Sequence, residues 1–167
     1  MKKLLIQTAA YNLWANTKLL KRLSTVPDDI LSKNMGSSFP SIYDTLFHLM
    51  RADHIWWNRL QLQENIHFAQ ERTNEDIEEL SREILRYSAN WVDLIKESSE
   101  VKLEHVFGYH DSKKNYYKQP VKEVLVHVFN HYTYHRGQIV TMMRQAGVDK
   151  IPSTDFIEFT RNSKVAA

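Results

Sequence analysis

His127-Val128-Phe129-Asn130-His131-Tyr132-Thr133-Tyr134-His135-Arg136-Gly137-Gln138 sets three histidines four residues apart inside an apolar helical pattern. Extended both ways, Val121, Val124, Val128, His131, His135, Gln138 and Met142 step by three and four, the seam of an amphipathic helix. Four residues advance an α-helix by about 400°, so side chains at i and i+4 differ by about 40° around the axis and about 6 Å along it. Two imidazoles at that spacing can share one metal ion. His131 and His135 point inward on this seam, and His127 falls at its margin with Glu123 one turn before it as a partner. His127 and His135 lie about 12 Å apart along the axis, too far for all three to reach one ion. Burying imidazole after imidazole brings no stability of its own. A bound metal accounts for the pair best.

Three more segments carry helical periodicity. The first, about 3–24, follows Ile6, Ala9, Leu13, Asn16, Leu20 and Leu23, with Asn16 its one polar seam position. Val26-Pro27-Asp28-Asp29 leads out of it, because proline cannot continue the hydrogen-bond ladder. Residues 34–40, with Gly36 and paired serines, read as a loop. Ser41-Ile42-Tyr43-Asp44 then reads as a capped start, and Ile42, Leu46, Leu49, Asp53, Trp56 and Leu60 form the second seam. His48 lies beside it, on the side of Thr45, Ala52 and Ile55. A third helix starts near Thr73 or Asn74 and follows Ile77, Leu80, Ile84, Tyr87, Trp91 and Leu94, its outer face dense with Glu and Arg. Pro120 fits the first turn of the fourth helix, which runs to about Ala146 and stops at Gly147.

Between the third and fourth helices, 101–119 reads as a short hairpin or an ordered loop around His110-Asp111-Ser112-Lys113-Lys114-Asn115. A tail with Ile151, Phe156, Ile157 and Phe159 packs back on the rest. The class is all-α, a four-helix bundle, and 1–167 forms one domain.

The totals narrow the function. At 167 residues, 43% hydrophobic and 25% charged, the chain suits one hydrophobic core. A net charge of +2 gives no basic patch for nucleic acid. No apolar run approaches the roughly 20 residues that cross a bilayer. Gln7 and Thr8 cut short the run after Met1-Lys2-Lys3, so the expectation is a cytoplasmic protein with no membrane partner. With no cysteine, any metal must sit on His, Asp, Glu or water, and a thiol must arrive with a cosubstrate.

His48 supplies an inward-leaning imidazole from a second helix. Three imidazoles from two helices would leave coordination positions open, as catalytic rather than structural metals require. His54, His67, His105 and His110 lie where a surface or loop role is the default, and the seam Trp and Tyr residues read as packing. Asp44, Asp53 and Gln138 are candidates to hold an imidazole tautomer. Arg136 points about 100° away from His135, and its reading is a structural ion pair.

At this point Tyr11-Asn12-Leu13-Trp14-Ala15-Asn16, Ser41-Ile42 with Leu46-Phe47-His48-Leu49 and Trp56, and Asn130-His131 with His135-Arg136-Gly137-Gln138 resemble the DinB/YfiT-like superfamily. The ending from Gly147-Val148 through Ile151-Pro152 to Asp155-Phe156-Ile157 is similar too. The resemblance implies a four-helix bundle, often a homodimer, in which His48, His131 and His135 hold one divalent metal, His127 being a neighbour of the site or a structural residue. Members of known activity include metal-dependent transferases that use bacillithiol or mycothiol.

The expected chemistry is activation of a low-molecular-weight thiol cosubstrate for attack on an electrophilic small-molecule substrate. A metal-dependent hydrolase is the alternative, and a non-enzymatic metal-binding stress protein and a metal-free interaction module are the readings from other classes. Zinc or nickel is favoured, and manganese, iron, cobalt and copper also suit such a site.

Overall fold

Residues 1–63, 66 and 76–163 are described by a computed structural model. In chain order the elements are α1 (Lys2–Leu23), α2 (Asp28–Leu31), α3 (Ile42–Leu60), α4 (Ile77–Glu97), α5 (Glu100–Glu104), β1 (Val106–His110), β2 (Tyr116–Pro120), α6 (Val121–Gln145) and α7 (Phe156–Ser163). The long helices α1, α3, α4 and α6 form the bundle expected from the four seams, around Leu19, Leu23, Leu46, Ile84, Trp91 and Leu125. Their order around the core is not that of the chain. α1 packs on α4 and α6, and α3 packs on the same two, so α1 and α3 lie on one diagonal and α4 and α6 on the other. Two long connections, 24–41 and 98–120, cross those diagonals. The consequence for the site is direct: α3 and α6 are neighbours.

Each helix end has a local cause. The Ser41 hydroxyl accepts from the Asp44 amide at 3.0 Å and donates to its carboxylate at 2.6 Å, as the sequence anticipated. At the far end of α6, Val148 N–H reaches Met143 C=O and Gly147 N–H reaches Arg144 C=O, with Gly147 at φ +76°. This is the left-handed stop that glycine makes without strain. Pro120 closes β2 opposite Val106, one residue before the helix it was expected to begin. Asp76 caps α4 through the amides of Glu78 and Glu79. The expected start at Thr73 or Asn74, and His67, lie outside the described residues.

Of the two readings of 101–119, the hairpin is the one adopted. β1 and β2 pair antiparallel from Val106↔Pro120 to His110↔Tyr116, and Asp111 closes the turn by accepting from the Lys113 and Asn115 amides. The tail folds back as α7, with Phe156 and Phe159 against the Tyr11 ring at 5.1 and 5.9 Å. Ile157, expected to pack, is exposed.

Polar groups pin the helices together inside the core. Asp53 is 1% exposed. It accepts the Trp91 indole N–H at 2.8 Å and the Tyr132 hydroxyl, tying α3 to α4 and α6. Arg136 is also buried, which corrects the ion pair expected for it. Its Nη1 donates to the side-chain oxygens of Asn12 (2.5 Å) and Asn16 (3.0 Å), and Asn16 donates to Ser88. Neutral amides thus hold a buried guanidinium whose pKa burial lowers. The buried arc of α6 is wide enough to include Arg136 because this helix faces both α3 and α1. No helix among the described residues is long and apolar enough to cross a membrane.

Replacing Asp53 by Ala orphans two buried donors, at about 1–3 kcal/mol each. Urea denaturation of Asp53→Ala is expected to show a loss of that order, with Asp53→Asn less affected. Burial raises the Asp53 carboxyl from 3.8 to about 7, against the hydrogen bonds from Tyr132 and Trp91. Between those values the folded state holds a proton that the unfolded state has released, so this contribution weakens as pH rises. The stability difference between wild type and Asp53→Asn should therefore shrink from pH 4 to pH 7 and level off above it.

Candidate metal centre

The seam of α6 carries His131 and His135, and the adjacent α3 carries His48. Nε2 of His131 lies 2.9 Å from Nε2 of His48 and 3.1 Å from Nε2 of His135. The three ligand atoms fall within 4.8 Å of one another, and they form the one such metal-ligating group among the described residues. Nitrogens about 2.0–2.1 Å from a common ion lie roughly 3 Å from each other, so these separations fit a shared ion. His135 is buried, while His48 and His131 are half-buried, so the cluster retains access to solvent.

The tautomer of His135 follows from its neighbours. Gln138 Oε1 sits 2.7 Å from His135 Nδ1, and the same amide donates through Nε2 to Ser38 Oγ (2.8 Å) and the Tyr134 hydroxyl (3.1 Å). With the amide oxygen facing Nδ1, that nitrogen carries the proton and the Nε2 lone pair faces the other two rings. A neutral imidazole has only one N–H, so hydrogen bonding cannot turn every facing nitrogen into a donor. A cation at the common point can accept all three lone pairs.

The electrostatics keep these rings neutral. Burial first, then the neighbouring His135 and Arg51, lowers the pKa of His48 to about 4. Burial and the three nearby histidines lower that of His131 to about 3. Burial also lowers His135, against its bond to Gln138. Neutral imidazole is the form that binds a metal.

Around the triad the outcome is mixed. Gln138 is the tautomer-fixing partner that the sequence placed among three candidates. Asp53 is not one: both its oxygens are taken by Trp91 and Tyr132. Asp44 is engaged with the Ser41 cap. His127 is exposed at the margin, edge-on to Trp56 at 5.1 Å and stacked on His131 at 5.8 Å, and Trp56 takes the place expected for Glu123. His54 is half-buried and bonds the Tyr87 hydroxyl at 3.0 Å, while His105 and His110 are exposed as expected. Phe39 stacks on His48, ring centroids 4.1 Å apart, and lies 5.6 Å from His135. Nothing in the sequence pattern marked Phe39, because it sits in an irregular loop and meets His48 only in three dimensions.

A sequence model of the DinB family matches residues 1–164. Protein DinB of Bacillus subtilis (strain 168) is 32% identical over 153 residues, covering 87% of this chain and 87% of that protein. Among solved structures, a DinB-like protein from Bacillus cereus ATCC 10987 aligns with TM-score 0.69 and 19% identity over 89% of this chain and 94% of that one. YfiT from Bacillus subtilis aligns with TM-score 0.69 and 16% identity over 87% of each chain. It is described as a probable metal-dependent hydrolase with an unusual four-helix bundle topology. At these identities the two structures establish the fold.

Replacing Gln138 by Leu removes the acceptor that orients His135. Calorimetric titration of Gln138→Leu with zinc should show affinity roughly 10–100-fold below wild type at unchanged helix content. Equal affinity would dismiss Gln138 from the site.

Proposed function

The chain belongs to the DinB family, and on that premise we propose that it is a divalent-metal-dependent enzyme whose ion is held by His48, His131 and His135. The observation that carries this is the convergence of three Nε2 atoms from two helices on one half-buried point. An all-imidazole set suits zinc or nickel first, with manganese, iron, cobalt and copper also accommodated. When bound, a divalent ion on three neutral imidazoles lowers the pKa of a water or thiol beside it.

The chain's own residues prepare that chemistry. Gln138 fixes the His135 proton on Nδ1, burial keeps the other two rings deprotonated at neutral pH, and Phe39 lays an apolar wall against His48. The preferred reaction is transfer of a low-molecular-weight thiol onto an electrophilic small molecule. The chain has no cysteine, so the sulfur nucleophile belongs to a cosubstrate. Hydrolysis by activated water is the second reading, supported by the description of the structural neighbour YfiT.

Elemental analysis of protein purified without an affinity tag should find one divalent ion per chain. His48→Ala, His131→Ala and His135→Ala should each lose it, and normal metal content in any of them would show the ligand set to be wrong. Metal-loaded protein should then couple a thiol such as 2-mercaptoethanol to monochlorobimane faster than free metal does. Ester hydrolysis without thiol would move the conclusion to the hydrolase, and a tightly held ion with neither activity would leave a structural staple.

A further inference from the structure

Beyond the triad, the β1–β2 hairpin leans on the C-terminal turn of α3 and borders an open cleft of about 410 Å³, lined by Trp56, Arg59, Tyr109, Tyr117 and Lys118 among others. That volume lies within the range of small-molecule sites. Arg59 is held rigidly there. Its guanidinium lies 4.7 Å from the Trp56 ring and 5.0 Å from the Tyr109 ring, and Nη2 donates to the His110 carbonyl at 2.9 Å. Arg59 Nε is buried without a partner. Among the described residues Arg59 forms no ion pair, and neither does Lys118. Asp111 also lines the cleft; its carboxylate accepts from the amides of Lys113 and Asn115 and the Asn115 side chain at the hairpin turn, and its charge acts on Arg59 without forming an ion pair with it.

We propose that this cleft binds the oxyanion, carboxylate or phosphate, of an elongated substrate or cosubstrate whose reacting end reaches the histidine triad. A guanidinium that rests against two aromatic rings and donates to a backbone carbonyl has lost much of its rotamer freedom, and its planar fork matches a two-oxygen anion. Lys118 leaves β2 on the face opposite Tyr117, its Nζ 5.9 Å from the Tyr116 ring, so Arg59 is the cation of this cleft. Trp56, Tyr109 and Tyr117 offer surfaces for a planar or apolar part of the molecule.

The cleft lies close to the triad. Trp56 forms a wall of the cleft and touches His127, and His127 touches His131, at ring separations of 5.1 and 5.8 Å. Along α3, His48 and Arg59 are separated by about 16 Å of helix rise. The ligand class is therefore a molecule with its anionic group roughly 16 Å from its reacting atom. As part of the reaction this inference rests on the metal-dependent reading above, but the anion site itself can be tested without metal.

The experiment is an amide and indole NMR titration of the full chain, metal-free and zinc-loaded, with phenyl phosphate, benzoate and neutral benzyl alcohol. The expected result is that phenyl phosphate or benzoate shifts the Trp56 indole and the Tyr109 and Lys118 amides in both forms. Which anion binds tighter identifies the group, and benzyl alcohol should bind at least about tenfold more weakly. Arg59→Gln should weaken the anion about tenfold and Arg59→Lys less, while Lys118→Gln, on the other face of the hairpin, should leave it unchanged. If Arg59→Gln unfolds, wild-type affinity in Arg59→Lys, or a loss in Lys118→Gln as large as that in Arg59→Lys, overturns the proposal. Equal binding of benzyl alcohol, or anion shifts confined to His131 and His135 in the zinc form, also overturns it while leaving the metal reading intact. Hairpin shifts in a protein that takes up no zinc would end the metal reading and keep the anion site.

Discussion

The two oxygens of Asp53 receive the indole of Trp91 and the hydroxyl of Tyr132, so three helices meet at one carboxyl group that water does not reach. Such a group is costly to bury, and it is tolerable only while both donors stay in place. That requirement fixes the height of α3 relative to α6. Tyr132 directly follows His131 on α6, and Asp53 stands five residues beyond His48 on α3. A slip of α3 by one turn would break the carboxyl contacts and carry His48 about 5.4 Å out of reach of His131. The polar pin and the imidazole cluster therefore share a single register.

A second pin does the same for the other diagonal. Arg136, one residue after His135, reaches across to Asn12 and Asn16 on α1, and Asn16 in turn bonds Ser88 on α4. One face of α6 thus presents the triad to α3, while the residue beside it anchors the helix to α1. The hairpin and α5 occupy the long crossing between α4 and α6, and the hairpin with the end of α3 builds the aromatic cleft at the margin of the same site.

The seam of His131 and His135 was legible because helical spacing is local, and it identified four long helices without any tertiary information. His48 was legible only as an inward-leaning neighbour, completed by family resemblance. The packing order was not legible, since the lengths of 24–41 and 98–120 permit either adjacent or diagonal placement. Arg136 was misread for a related reason. A single seam line assumes one packing partner, whereas α6 has several, and its partners Asn12 and Asn16 lie more than a hundred residues away. The hairpin left two readings open because Tyr-rich, turn-bearing stretches suit a strand pair and a loop equally until a helix end is there to receive them.

Gln138 has one further consequence. An amide is planar, so its oxygen and nitrogen cannot rotate independently. The oxygen faces the ring of His135 while the nitrogen faces Ser38, a hundred positions earlier in the chain, and Tyr134. One torsion angle therefore ties the 34–40 loop to the direction in which an imidazole lone pair points. Whatever seats that loop also aims the nitrogen.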